Sequence, residues 1–399
     1  MMKKTLSVVT LLAAGLSHAA GFSFDTHSGR ATGMSFATTA VTYDATAVAF
    51  NPANMLGVEK IDIAAGDVTT LPNLSYTPEG GDKETMGTTV VPPPHFFGVY
   101  RINEQMAAGL GVFVPFAAGS NWEDDFPYRT RGYKAQLATY FINPSFAYQL
   151  HERLRLGAGV DLVRGTVSLT RKINFVDTEG EVEVGGAGWG FGYNAGINAV
   201  ILPKQLNFAA TFRGPTKIKF EGKGDFKNIP SAFEGTLIDQ ALTSTVTLPG
   251  SLNFGLGYTP IEGLTLAFDA QMVLWSSFKD FGIEFKEDES LTNILAKNWQ
   301  NTWNFRLGAE YAVTEMVVAR LGASYDPIPS PEDTLTPDLP DANRYKASAG
   351  VGLNLQPVRV DLGYQFVYLT DTKSTAFGFE GTYNGTAHVL GLTVGYTMK

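Results

Sequence analysis

The chain has 399 residues, with 39 acidic against 30 basic side chains and a formal charge of −9. That balance argues against a nucleic-acid partner, which would demand a basic face. Cysteine is absent, which excludes disulfides and thiolate metal sites.

Residues 1–19 have the three parts of a secretory signal peptide. Lys3 and Lys4 form the charged start, 6–16 the apolar run and Ser17-His18-Ala19 the cleavage site, leaving Ala20 as the expected mature terminus. Residues 20–60 are rich in small residues, with Phe22, Phe24, Phe36, Tyr43 and Phe50 scattered among them. Such a segment cannot bury a core alone, and residues 38–50 are expected to form a short helix or turn ending at Asn51-Pro52.

From residue 61 the pattern changes to short runs in which apolar residues take every second place. In Val358-Arg359-Val360-Asp361-Leu362-Gly363-Tyr364-Gln365-Phe366 one face is wholly apolar and the other carries Arg359, Asp361, Gly363 and Gln365. A soluble sandwich also alternates. Recurrence over the rest of an exported chain favours an all-β, antiparallel transmembrane barrel spanning 61–399, with lipid outside and a polar lumen. No stretch approaches the ~20 apolar residues of a membrane helix, and 12% aromatics with 43 glycines suit aromatic girdles and small lumen residues.

About fourteen strands are predicted, an even number as in bacterial barrels. They run near 61–76, 94–102, 105–116, 136–150, 153–171, 187–202, 205–220, 242–258, 263–285, 299–312, 315–325, 344–355, 357–369 and 386–398. Tight connections, such as Gln149-Leu150-His151-Glu152 and Gln356-Pro357, belong on the periplasmic side. Long ones, including 172–186, 221–240 and the proline-rich 326–343, belong outside.

His18, His27, His95, His151 and His388 share no metal-binding spacing, and no Gly-x-Ser-x-Gly or phosphate-binding Gly loop is present. No catalytic residue, metal or cofactor is expected, although outer-membrane hydrolases with a Ser–His pair form a competing class. In the third strand Gly109, Gly111 and Pro115 interrupt a ladder that a closed barrel needs intact, marking either a strand end or a kink that opens the wall. Arg155, Arg164, Arg171, Arg306 and Arg320 are read as lumen-facing cations, paired with carboxylates such as Asp161, Glu310 or Asp361.

The chain resembles the outer-membrane transporters of long-chain fatty acids and other hydrophobic compounds, the FadL/TodX group. The resemblance rests on Ala20-Gly21-Phe22, Ser28-Gly29-Arg30-Ala31, Tyr43-Asp44-Ala45, Asn51-Pro52-Ala53 and Leu248-Pro249-Gly250-Ser251-Leu252. It continues in Trp275 and in the stretch from Trp299 through Tyr325-Asp326-Pro327 and Pro337-Asp338-Leu339-Pro340-Asp341-Ala342-Asn343-Arg344 to Tyr364. It implies a barrel plugged by an N-terminal hatch over 20–60, with Gly21, Phe22, Phe24, Asn51, Pro52 and Ala53 at the hatch and ligand pocket. It also implies an apolar extracellular groove and lateral release at a kinked third strand, and it leaves Arg171 as a candidate for a ligand carboxylate. The chain ends Tyr396-Thr397-Met398-Lys399, so Tyr396 stands in for the usual terminal aromatic.

The expected activity is passive outer-membrane transport of hydrophobic compounds, long-chain fatty acids first. An aromatic or alkane hydrocarbon channel, a general porin and a surface adhesin are the alternatives. Expected partners are the hydrophobic ligand, outer-membrane lipid with lipopolysaccharide, and the barrel assembly machinery, around a monomer in the Gram-negative outer membrane.

Overall fold

The computed structural model describes residues 21–24, 27–87, 90, 92–175 and 177–399, so the leader expected at 1–19 lies outside the described residues. Fourteen antiparallel strands pair with their chain neighbours, and the last pairs with the first to close a barrel. In chain order they are β1 (Ile61–Pro78), β2 (Pro94–Arg101), β3 (Met106–Phe113 continued by Ala117–Asn121), β4 (Lys134–His151) and β5 (Leu154–Phe175). Then come β6 (Thr178–Leu202), β7 (Leu206–Arg213 and Thr216–Lys227), β8 (Gln240–Leu248 and Ser251–Ile261), β9 (Leu264–Val273 and Asp280–Phe285) and β10 (Asn293–Ala296 and Thr302–Ala312). The last four are β11 (Val317–Asp326), β12 (Arg344–Leu355), β13 (Val358–Ser374) and β14 (Gly381–Met398). Closure leaves no strand edge in hydrocarbon, where unpaired amides would each cost several kcal/mol.

The period-2 pattern is realised as two faces. On β13 Leu362 is 50% exposed whereas Asp361 beside it is 3% exposed, so the apolar face meets lipid and the polar face lines the lumen. The phase differs from expectation at one cation. Asp161, Val163 and Gly165 of β5 point inward, which turns Arg164 outward over Trp189 of β6, 5.3 Å from its ring. The apolar run around Arg164 hid which face it shares.

The connection expected as a loop over 172–186 is also corrected: β5 and β6 continue as a hairpin to Phe175 and Thr178. Alternation persists there, but beyond the membrane the outward face is charged (Lys172, Glu181, Glu183) while Val182 and Val184 stay buried inside. A lipid-facing strand rule therefore ends it too early.

Residues 27–60 lie inside the barrel and are almost wholly buried. Two short helices (Gly29–Gly33 and Ala47–Phe50) and a 3₁₀ turn (Pro52–Gly57) give the segment its shape. Asn51 caps that turn by accepting from the Ala53 amide at 3.1 Å, with Pro52 in its first position. Lumen side chains take up the segment's polar groups. Asp269 accepts from the Thr38 and Thr39 amides at 2.9 and 3.0 Å and from the Thr39 hydroxyl at 2.7 Å. Arg30 donates bidentately to Glu310 at 2.8 and 3.1 Å, and the Asn51 amide nitrogen donates to the Ile197 carbonyl at 3.0 Å. Backbone meets backbone at Gly157 of β5, where an added Cβ would lie 2.3 Å from the Ala53 nitrogen.

Replacing Asp269 with Ala strands three buried donors, each costing about 1–3 kcal/mol. The expected outcome is faster proteolytic cleavage within residues 27–60 of an otherwise folded barrel, read by limited proteolysis beside heat-modifiable gel mobility.

Candidate functional site: a groove and an apolar pocket beneath the outer end

The wall is discontinuous at β3. Its ladder runs regularly through Phe113, breaks at Val114-Pro115-Phe116 and resumes at Ala117. Gly109 and Gly111 stay paired on both sides, with Val99 and Ser145 and with Phe97 and Asn143. Their role is close approach, since a Cβ on Gly109 would lie 2.5 Å from the Met55 sulfur. The break itself is at Pro115, which has no amide to donate. Residues of the N-terminal segment fill the missing rung. The Phe24 amide donates to the Pro115 carbonyl at 2.7 Å, the Ala117 amide donates to the Phe22 carbonyl at 3.0 Å, and Ser23 bridges Phe116. Across the neighbouring gap, the ladders of β2 with β1 and β3 end at Asp67–Pro94 and Phe96–Val112 among the described residues, and β1 next pairs on that side with Glu84–Thr85, a two-residue strand in the β1–β2 connection, at Ser75–Thr85.

That pairing places Phe22 in an aromatic cluster. Its ring lies 4.8 Å from Trp275, 5.0 Å from Phe278, 5.5 Å from Trp299 and 6.0 Å from Phe116. Gly21 precedes it with φ +67°, and an added Cβ would sit 2.6 Å from both tryptophans, so only Gly fits. The Gly21 amide donates to Asp341 Oδ2 at 2.7 Å, in the 327–343 loop.

Two of three neighbouring spaces border this cluster, and the other adjoins one of them. The largest, about 530 Å³, is a groove near the outer end between β5, β6, β9, β10 and the 327–343 loop, and it contains Arg171 and Lys297. Below it lies a small apolar pocket of about 50 Å³ lined by Phe22, Leu137, Val167, Phe278 and Leu339, sharing Leu169, Phe281 and Asp338 with the groove. A third space of about 80 Å³, lined by Phe24, Pro52, Pro115, Phe116, Arg213 and Arg306, reaches the β3 break from the lumen. Of the expected site residues, Gly21, Phe22, Phe24 and Pro115 come together here and Pro52 lines the third space. Asn51 and Ala53 instead pack against β6 and β5.

Sequence reasoning did not single out Lys297. It sits in the interruption of β10, its side chain only 3% exposed, with Nζ 3.0 Å from both Asp338 Oδ2 and Thr336 Oγ1. Burial favours a neutral Asp338, but Lys297 and Thr336 outweigh it and hold the carboxyl below its ordinary value. At Asp341 burial prevails over Arg344 and the Gly21 amide, and the carboxyl is pushed up to about 6. His95, His151 and His388 are scattered: His95 bonds Thr393 in the lumen at 2.9 Å, His151 ends β4 and His388 meets Tyr364 on the outer face at 2.8 Å.

A closed barrel with a lipid-facing apolar belt, a filled lumen and a groove that leads to an apolar pocket near its outer end defines an outer-membrane transport protein. The chain belongs to the outer membrane protein transport protein family (OMPP1/FadL/TodX), whose model matches residues 10–398. This family carries hydrophobic compounds across the outer membrane, and its members are transporters and channels. Similar proteins include the 47 kDa outer membrane protein of Pasteurella multocida, 28% identical over 99% of this chain and 100% of that one. The long-chain fatty acid transport protein of Escherichia coli O6:H1 is 26% identical over 99% of this chain and 98% of that one. Among solved structures, a Pseudomonas aeruginosa FadL homologue superposes with a TM-score of 0.87 at 19% identity, covering 95% of this chain and 100% of its own. The P. putida toluene transporter TodX gives 0.74 at 17% identity, covering 96% and 99%.

Because Asp341 has a folded value near 6 against an ordinary 3.8, its contribution to stability is complete below 3.8 and is lost as pH rises through about 6. Asp341→Asn, neutral throughout, is expected to flatten the stability profile across that window by up to about 3 kcal/mol, measured by urea unfolding in detergent at a series of pH values.

Proposed function

We propose that this chain takes up long-chain fatty acids passively, with residues 20–60 acting as a hatch in the barrel. The observation that carries the reading is the position of Lys297. A buried ammonium stands in the groove at the mouth of an apolar pocket whose inner wall is Phe22, through the shared Asp338. An amphiphile entering the groove meets the Lys297–Asp338 pair, whose ammonium would have to turn from Asp338 to the headgroup, and apolar surface for its tail. Each methylene removed from water contributes about 0.8 kcal/mol, so a sixteen-carbon chain gains on the order of 10 kcal/mol. In the present conformation the pocket is far smaller than the groove, so admission requires Phe22 to yield. Release then runs past the Phe22–Phe116 contact to the β3 break, where the wall's missing rung is held by the same N-terminal residues.

The second reading, uptake of aromatic or alkane hydrocarbons, is supported by the cluster of Phe22, Trp275, Phe278 and Trp299, which gives planar ligands offset and edge-on partners. A hydrocarbon has no use for Lys297. A general porin fits less well, since residues 27–60 occupy the lumen.

Two variants separate the readings, with binding of a sixteen-carbon acid and of the equal-length alkane measured on detergent-purified protein. Phe22→Ala is expected to weaken both by about tenfold, equal to 1.4 kcal/mol, with circular dichroism unchanged. Lys297→Met, made together with Asp338→Asn so that no buried carboxylate is left unpaired, is expected to weaken the acid by a similar factor and leave the alkane alone. Equal effects of this double variant on both ligands would remove the headgroup role, and wild-type preference for the alkane would establish the hydrocarbon reading.

A further inference from the structure

Three adjacent strands change character at the same height on the outer face. On β5 the outward series Ala158, Val160, Leu162 gives way to Arg164. On β6 the outward residues run Ile197, Tyr193, Phe191, Trp189, with Phe191 the most exposed at 72%, and charge begins at Glu183. On β7 the outward face is apolar to Phe212; the Gly214-Pro215 interruption then shifts its phase, and Lys217 and Lys219 face outward next.

The register ties these residues together. Arg164 pairs with Trp189, and Trp189 pairs with Lys219, so two cations flank an indole in one row across three strands. Thr245 of β8 continues that row beside Lys219, and Thr247 lies beside Lys217. Arg164 also stacks over the Trp189 ring. With strands about 4.8 Å apart, Arg164 and Lys219 stand about 10 Å from each other. From Ile201 near the short turns to Trp189 the β6 belt rises about 30 Å along the membrane normal at ordinary strand tilt. The row therefore lies where the outer leaflet's acyl chains end.

Charge pairing distinguishes this row from the cations farther out. Lys134, Lys172, Lys223 and Lys227 each have a carboxylate at 2.6–2.9 Å. Lys219 has only the exposed Glu221 at 3.7 Å, and among the described residues neither Arg164 nor Lys217 has an ion-pair partner. Three cations stand at the end of a lipid-facing belt, two of them flanking Trp189, with only the exposed, loosely placed Glu221 as fixed counter-charge, and the outer leaflet offers more from outside the protein.

We propose that Arg164, Lys217 and Lys219, with Trp189 as a platform, bind the phosphorylated sugar headgroup of a lipopolysaccharide molecule whose acyl chains lie along Phe191 and Tyr193. The guanidinium and ammonium groups meet phosphate oxygens, the indole supports the sugar face, and Thr245 and Thr247 supply hydroxyls at the rim. This site is on the opposite side of the wall from the groove and does not depend on the cargo.

The test is native mass spectrometry of the full-length protein in mixed micelles with bisphosphorylated lipid A. Wild-type protein is expected to retain the glycolipid. The Arg164→Ala/Lys217→Ala/Lys219→Ala protein is expected to retain it about tenfold less, and Lys217→Arg/Lys219→Arg to retain it as wild type does. Dephosphorylated lipid A is expected to bind wild-type protein no better than lipid A binds the triple variant. Unchanged retention by the triple variant would overturn the site. Equal competition by phosphatidylglycerol would overturn the glycolipid assignment and leave a general anionic-lipid contact. All three side chains face outward from the wall, and unchanged heat-modifiable gel mobility and circular dichroism of the triple variant provide the check that the barrel is intact.

Discussion

Every backbone amide at membrane depth has to be hydrogen-bonded by the protein itself, and one stretch of this wall cannot manage it alone. Pro115 removes a donor from β3, and the strand loses its ladder around it. The repair comes from about ninety residues upstream, through the Phe24 amide and the Phe22 carbonyl. Much of the site follows from that repair. It sets the direction of residues 21–24, it brings Phe22 against Trp275, Phe278 and Trp299, and it directs the Gly21 amide at Asp341. A defect in the wall and an aromatic seal beneath the groove are one piece of structure.

The two ends of the N-terminal segment are held by different physics. Farther along it, Arg30 joins a buried series in which Glu310 also meets Arg320 at 2.6 Å, Arg320 meets Asp361 at 2.7 Å, and Arg359 meets Asp62 at 2.7 Å. Removing one member of such a network leaves an uncompensated charge, so that end is fixed. The Phe22 end is held by ring contacts worth about 0.5–1.5 kcal/mol each beyond their burial and by a few backbone bonds. In the proposed uptake path the yielding part is accordingly short and aromatic, while the bulk of the segment stays seated on Asp269 and Glu310.

The barrel was legible in the sequence because lipid on one side and a polar lumen on the other impose a period of two on nearly every strand. Where one face leaves the membrane the rule loses its force, which is why the β5–β6 hairpin extends past its expected end at Arg171. Phase was legible only where a carboxylate or amide fixed it. For Arg164, surrounded by apolar and small residues, the local pattern points to the wrong face. Pro115 declared the break because its chemistry is local, whereas Gly109 and Gly111 were indistinguishable from kinks until Met55 and Val48 were seen against them. Lys297 could not be read at all. Its meaning comes from Thr336 and Asp338 in a different loop, and from burial that no local pattern records.

Asp62 belongs to the first strand, Thr397 to the last and Arg359 to the one before it, and their side chains meet at 2.6–2.9 Å across the line where the barrel closes. The Ala45 amide of the internal segment donates to the same carboxylate at 2.8 Å. Sealing the cylinder and stowing its contents thus converge on a single side chain. An assembly intermediate with an open seam has an unneutralised Asp62 at its edge and an N-terminal segment missing one of its moorings. Pairing of the last strand with the first therefore completes the wall and, in the same event, completes the set of groups around the carboxylate that holds Ala45.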